Sequence, residues 1–219
     1  MAPVVRFRSA VALLGRFPAL SGVDLTVEPG EVVLLEGANG AGKTTVLRAC
    51  AGLVPLVSGE AEVLGVDLRA DRRSVRRRVG LLGHSGALYE DLGAEENVRF
   101  AVRAAGGDAA AVVPALSLLG IEGRLRTTAV GRLSTGQRRR VALAVLVARS
   151  PSLWLLDEPH AGLDAAGRDL LDDLVRSAVA AGATVLLASH ETDRAAAVAG
   201  RTVTMAGGRV QPREPARVA

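Results

Sequence analysis

Residues 37–44 read Gly37-Ala38-Asn39-Gly40-Ala41-Gly42-Lys43-Thr44, and Thr45 follows. The pattern fits G-x-x-x-x-G-K-[ST] at every fixed position. It lies between a continuous apolar run, EVVLLEG (31–37), and a helix-forming stretch, TTVLRACAGL (44–53). The run suits a strand buried on both faces, and the motif at its end is followed by a helix. Glycines allow backbone N–H groups to converge on an anion, and the helix N-terminus adds partial positive charge there. Lys43 is the one lysine among 27 Lys and Arg residues. A compact ammonium fits a tight loop that a broad guanidinium fork would not. Residues 37–45 are therefore expected to hold a phosphate chain. Lys43 would reach its terminal phosphates and Thr44 would ligate Mg²⁺.

The rest of the chain fits such a fold. VVRFRS (4–9) and GVDLTVEPGE (22–31) read as short strands, and GEAEVLGVDL (59–68) as a hairpin or edge piece. RVGLLGH (78–84), LWLLDEP (153–159) and TVLLASH (184–190) read as buried strands, and STGQRRRVALAVLVARS (134–150) as a long helix. Further helices are expected at 165–181 and 191–199, and a hairpin across Gly207-Gly208. Buried strands alternating with helices predict an α/β fold with a mainly parallel sheet. Residues 94–120 are Ala-rich and helical, with interruptions expected at Gly106-Gly107 and Pro114. The expectation is one domain over 1–219. Its nucleotide-binding core would span about 1–85 and 136–219, with an inserted helical lobe at about 86–135.

Two acids and a histidine complete the chemistry. Asp157 and Glu158 end an apolar strand, where successive side chains point in opposite directions and can serve different tasks. Asp157 is placed to hold Mg²⁺ through water, and Glu158 to orient or deprotonate an attacking water. His190 ends the next apolar strand and could bond the γ-phosphate and that water.

Composition narrows the partners. Aromatic residues make up only 2%, so base-stacking surface is scarce and single-stranded nucleic-acid binding is disfavoured. The net charge of +4 is explained by solubility and arginine usage, or by anionic partners. A solvated helix face accounts for the densest run, DRRSVRRRVG (71–80). The single Cys50 excludes a disulfide framework and a thiolate metal cluster, and reads as a core residue. No signal peptide or apolar window long enough to span a bilayer is seen, so the chain is expected to be soluble on its own.

Leu133-Ser134-Thr135-Gly136-Gln137 decides the family. Alone, Ser134 and Gln137 could simply be a capping box. The segment, however, lies between the phosphate loop and LDEP, with AGLD (161–164) after it. This order resembles the ATP-binding cassette (ABC) ATPases, whose signature is usually LSGGQ, over residues 4 to about 210. The resemblance implies a P-loop core, a small antiparallel β subdomain and an inserted α-helical subdomain. It also implies ATP and Mg²⁺ as ligands and a head-to-tail dimer with a second, identical ATP-binding subunit. Each phosphate loop would face Ser134, Thr135, Gly136 and Gln137 of the other copy, and Asp164 of the D-loop would link the two sites. An integral membrane permease is the implied partner, which puts the chain at the cytoplasmic face of the membrane. No nucleic-acid partner is expected.

Three positions depart from the family pattern. Thr135 replaces the second glycine of the signature, which a negative φ would tolerate. His84 stands at the Q-loop position and could titrate. Leu14 falls near the adenine-stacking aromatic. Phe17 either substitutes for that aromatic or packs against the sheet. The motifs together look most like the ATP-binding branch of the cytochrome c maturation exporter, linked to heme delivery. An exporter ATPase for another cargo, or a soluble ABC ATPase acting on ribosomes or nucleic acid, stays open.

Overall fold

The computed structural model describes residues 2–83 and 87–212. The first half holds β1 (Val5–Leu14), β2 (Phe17–Val27), β3 (Val32–Glu36), α1 (Lys43–Cys50), β4 (Ser58–Val63) and β5 (Val66–Asp67). A short α2 (Leu68–Asp71) leads to β6 (Val79–Leu82). Four helices follow: α3 (Ala94–Ala105), α4 (Val112–Leu118), α5 (Arg124–Thr127) and α6 (Thr135–Arg149). The chain then alternates through β7 (Leu153–Asp157), α7 (Ala165–Ala180), β8 (Thr184–Ala188) and α8 (Thr192–Val198). It ends in the hairpin β9 (Arg201–Ala206) and β10 (Arg209–Val210).

Two sheets result. One is antiparallel, in the order β2-β1-β4-β5. The other runs β10-β9-β3-β8-β7-β6, parallel except for the edge strand β10. The period of two along each parallel strand assigns its side chains to two cores. Val33, Leu35, Leu153, Leu155, Leu186 and Ala188 join the antiparallel sheet and α1 on one face. Leu34, Trp154, Leu156, Val185 and Leu187 join the helices on the other. Each leucine so buried stabilises the fold by roughly 1.5–3 kcal/mol. Cys50 is part of the first core, and burial pushes its thiol pKa up.

Three sequence expectations need correction, the first being that the short strand expected at 22–31 begins earlier, at Phe17, and runs to Val27. Residues 4–9 are not a short strand. After a bulge at Ser9 (φ 46°) the strand continues to Leu14, and the bulge re-phases the alternation that would have revealed its length. Pro114 does not interrupt a helix. It sits in the first turn of α4, where its missing N–H would have had no partner anyway. Gly106, at φ 80°, does end α3. Helices α3 and α4 pack on α6.

Parallel strands share one carboxyl edge, and the phosphate loop, the acid pair and His190 gather there. Gly37 follows β3, Gly83 follows β6, Asp157 ends β7, and Ser189-His190 follow β8. Strand β8 pairs with both neighbours at Ala188, opposite Leu35 on one side and Asp157 on the other.

Candidate active site

A cleft of about 320 Å³ opens at this edge, lined by the loop residues Asn39 to Thr45 together with Asp157, Glu158 and His190. The loop is held in shape by backbone that only glycine adopts easily. Gly37 has φ 137°, and a Cβ there would come within 2.1 Å of the Met205 carbonyl oxygen. Gly42, at φ 105°, caps the N-terminus of α1, which has no acid in its first turn. The positive end of that helix dipole is therefore left for an anion.

Lys43 is buried to 7% exposure. Its Nζ donates to the carbonyl oxygens of Gly37 (2.6 Å) and Ala38 (3.1 Å), so the ammonium lies inside the curl of the loop. Thr44 Oγ1 donates to Asp157 Oδ1 at 3.1 Å. A hydroxyl and a carboxylate side by side, next to a phosphate cradle, are a donor set suited to Mg²⁺, which keeps several waters and takes phosphate oxygens as well. Among the described residues no cluster of three His, Cys, Asp or Glu side chains could hold a metal without such help.

Glu158 directly follows Asp157 but points elsewhere. Its φ is 47°, and its N–H donates to the Ala188 carbonyl at 2.8 Å. Its carboxylate accepts the His190 N–H at 3.0 Å, and His190 Nε2 lies 3.4 Å from its other oxygen. The two acids thus serve different neighbours, as the alternation of a strand end suggests.

The signature residues are brought together in a different place. Ser134 caps α6, accepting from Gln137 N–H at 3.2 Å, while Gln137 Oε1 accepts from Ser134 N–H at 2.9 Å. Thr135 is the first residue of α6 and is not among the positive-φ residues. Ser134, Gly136, Gln137 and Asp164 line a second cleft of about 350 Å³, which shares no residue with the first. Asp164 caps α7 by accepting from Gly167 N–H at 3.0 Å and pairs with Arg140. These two hydrogen bonds hold its carboxyl below the usual range. His84 lies outside the described residues.

The first cleft is also lined by the aliphatic Leu14 and Ala19. Phe17 is 79% exposed and neither lines the cleft nor packs against the sheet. Packing against the sheet is therefore set aside: Phe17 sits at the β1–β2 turn with its ring exposed. Two residues escaped the sequence reading. Arg139 is buried beneath the Asp157–Pro159 turn. Its register with Leu143 and Leu146, four and seven residues on, was the available signal. His160 is buried with Nε2 2.8 Å from Asp172 Oδ1, and nothing in its sequence context signals that partner.

A family model described as ABC transporter matches residues 20–161, more than half of the chain. The chain belongs to this family. It is an ATP-binding cassette ATPase. A Streptomyces avermitilis protein named as an ABC transporter ATP-binding protein is 42% identical over 214 residues, covering 95% of this chain. The chain spans 37% of that relative's length. The cytochrome c biogenesis ATP-binding export protein CcmA of Bordetella bronchiseptica is 40% identical over 184 residues, 83% of this chain and 82% of that one. Among solved structures, a dimeric post-hydrolysis state of the cassette MJ0796 bound to ADP and Pi matches with a TM-score of 0.83 and 25% identity, covering 95% of this chain and 97% of that one. No described helix is long and apolar enough to cross a membrane.

Proposed function

We infer that this cassette is the ATP-hydrolysing subunit of an exporter, working from the cytoplasmic face of the membrane against an integral membrane permease. Its cargo step is that of cytochrome c maturation, linked to heme delivery. The observation that carries this reading is the 40% identity to the Bordetella export protein across 82% of that protein's length.

The two clefts support the following residue roles. The loop 37–45 binds the phosphates, and Lys43 neutralises charge on the β- and γ-phosphates. Thr44 and Asp157 would hold Mg²⁺, which would supply positive charge to shield the phosphate oxygens. Glu158 orients the attacking water or accepts its proton, and His190 helps to place it. Water attack forms a new bond to the γ-phosphorus while the bond to the β–γ bridging oxygen breaks, releasing ADP and phosphate. Because Ser134 and Gly136 line a cleft apart from Lys43, they serve a nucleotide held by a second copy. This supports a head-to-tail dimer in which α6 caps the partner's γ-phosphate. Residues 86–135 act as the lobe that meets the permease.

Tagged Glu158→Gln captured from native membranes with Mg-ATP tests the assignment. The expected result, read by mass spectrometry, is a multi-span permease accompanied by heme-handling proteins. A different permease would remove heme from the reading. Recovery of ribosomes or nucleic acid alone would remove the membrane role.

A further inference from the structure

Arg139 is 8% exposed, and its guanidinium reaches four backbone carbonyls. Nη1 donates to Gly83 at 2.7 Å, Nη2 to Glu158 at 2.5 Å and Asp157 at 3.3 Å, and Nε to Pro159 at 3.3 Å. No described carboxylate forms an ion pair with it. A buried cation is expensive unless well compensated, by several kcal/mol per ion in real proteins. The same face of α6 is otherwise filled by Leu143 and Leu146, so packing alone would favour an aliphatic side chain here. Compensation comes from the carbonyl dipoles and from the nearby charges of Asp157 and Glu158, which offset the effect of burial on the guanidinium.

Three of those carbonyls, of Asp157, Glu158 and Pro159, belong to the turn that carries Glu158, and the fourth, of Gly83, lies at the end of β6. At φ 47° Glu158 is in the left-handed region, which costs a side-chain-bearing residue about 1–3 kcal/mol and persists only where the surroundings over-determine it. Here they do. The Glu158 N–H is tied to β8 at Ala188 and its carbonyl is tied to α6 through Arg139. With both sides of the peptide fixed, the carboxylate is directed at the Ser189–His190 turn.

We propose that Arg139 is a positioning residue for hydrolysis: it holds the Asp157–Glu158–Pro159 turn in the conformation that aims Glu158, and makes that aim depend on where α6 and Gly83 sit. Ser134, which caps α6, is little more than one turn away from Arg139. A displacement of α6, or of the β6 end, is thereby transmitted to the catalytic carboxylate through one guanidinium. This rests on the reading of Glu158 as the group that activates water.

The test is steady-state Mg-ATP turnover of the full chain, expressed per nucleotide-binding site counted with a fluorescent ATP analogue. In Arg139→Gln the amide reaches fewer carbonyls than the fork. Turnover per site is expected to fall about tenfold or more while KM stays within about threefold, the pattern of a lost transition-state interaction. Arg139→Lys keeps the charge with fewer, undirected donors, and is expected to recover only part of the loss. In Glu158→Gln, adding Arg139→Gln is expected to lower residual turnover no further, because both act through one group. Turnover per site within about twofold of wild type in either single variant, even with fewer sites or a lower Tm, would overturn the proposal. If Arg139→Gln does not fold, Arg139→Lys decides alone: a fall of at least about threefold supports the proposal and unchanged turnover overturns it. Wild-type turnover in Glu158→Gln would instead remove the role of Glu158 itself, whatever Arg139 does.

Discussion

Thr44 Oγ1 and Asp157 Oδ1 are 3.1 Å apart, joining the first turn of α1 to the last residue of β7. These side chains come from positions far apart in the chain, and the pairing of β3 and β7 with β8 places them together. If both serve Mg²⁺, Asp157→Asn should raise the Mg²⁺ concentration for half-maximal turnover by about 10–100-fold, the range found when partners of a metal site are changed. A Mg²⁺ titration of ATP hydrolysis checks this, and chelation should abolish turnover in the wild type.

Lys43→Arg should lose nucleotide. The ammonium lies within the loop, bound to the carbonyls of Gly37 and Ala38, and a planar fork cannot occupy that space without opening it. A loss of affinity of at least about tenfold, about 1.4 kcal/mol, is expected by titration calorimetry with ATP.

The loop glycines should not be equal. In Gly37→Ala the new methyl would meet the Met205 carbonyl at 2.1 Å, whereas in Gly40→Ala nothing lies within 4 Å. Gly40→Ala should cost about 1–2 kcal/mol for a left-handed residue alone, and Gly37→Ala clearly more. Thermal unfolding of the two variants separates strain from collision.

Acid should weaken one contact in the helical lobe. Glu95 bonds Arg126 and, on its own helix, Arg99, and those hydrogen bonds hold its carboxyl below the usual glutamate range. A lowered folded-state pKa contributes stability that is present above the unfolded value and is lost as pH falls through the folded value. Glu95→Gln should therefore destabilise by about 0.5–1 kcal/mol at neutral pH, and the difference should close in strong acid. Urea unfolding followed from neutral pH down to about pH 2 measures both.

The sequence announced the elements whose physics is local. β3, β7 and β8 are unbroken apolar runs, and the loop and the Ser134 cap carry their own chemistry. It was poorer where the outcome depends on distant packing. The Ser9 bulge hid the second half of β1. In the run Arg138-Arg139-Arg140 three identical side chains take three different surroundings, and only the rotation of α6 decides which enters the core. Leu14 lines the cleft, while the exposure of Phe17 depends on the β1–β2 turn, which the sequence reading had not placed.

The central claim is that Glu158 drives hydrolysis at a site completed by a second copy. Analytical ultracentrifugation of Glu158→Gln at saturating Mg-ATP, run beside a turnover assay, tests it most directly. The account predicts an ATP-dependent dimer with turnover reduced by at least about 100-fold, in line with the loss of a general base. A variant that stays monomeric in Mg-ATP, or that hydrolyses at the wild-type rate, would contradict it.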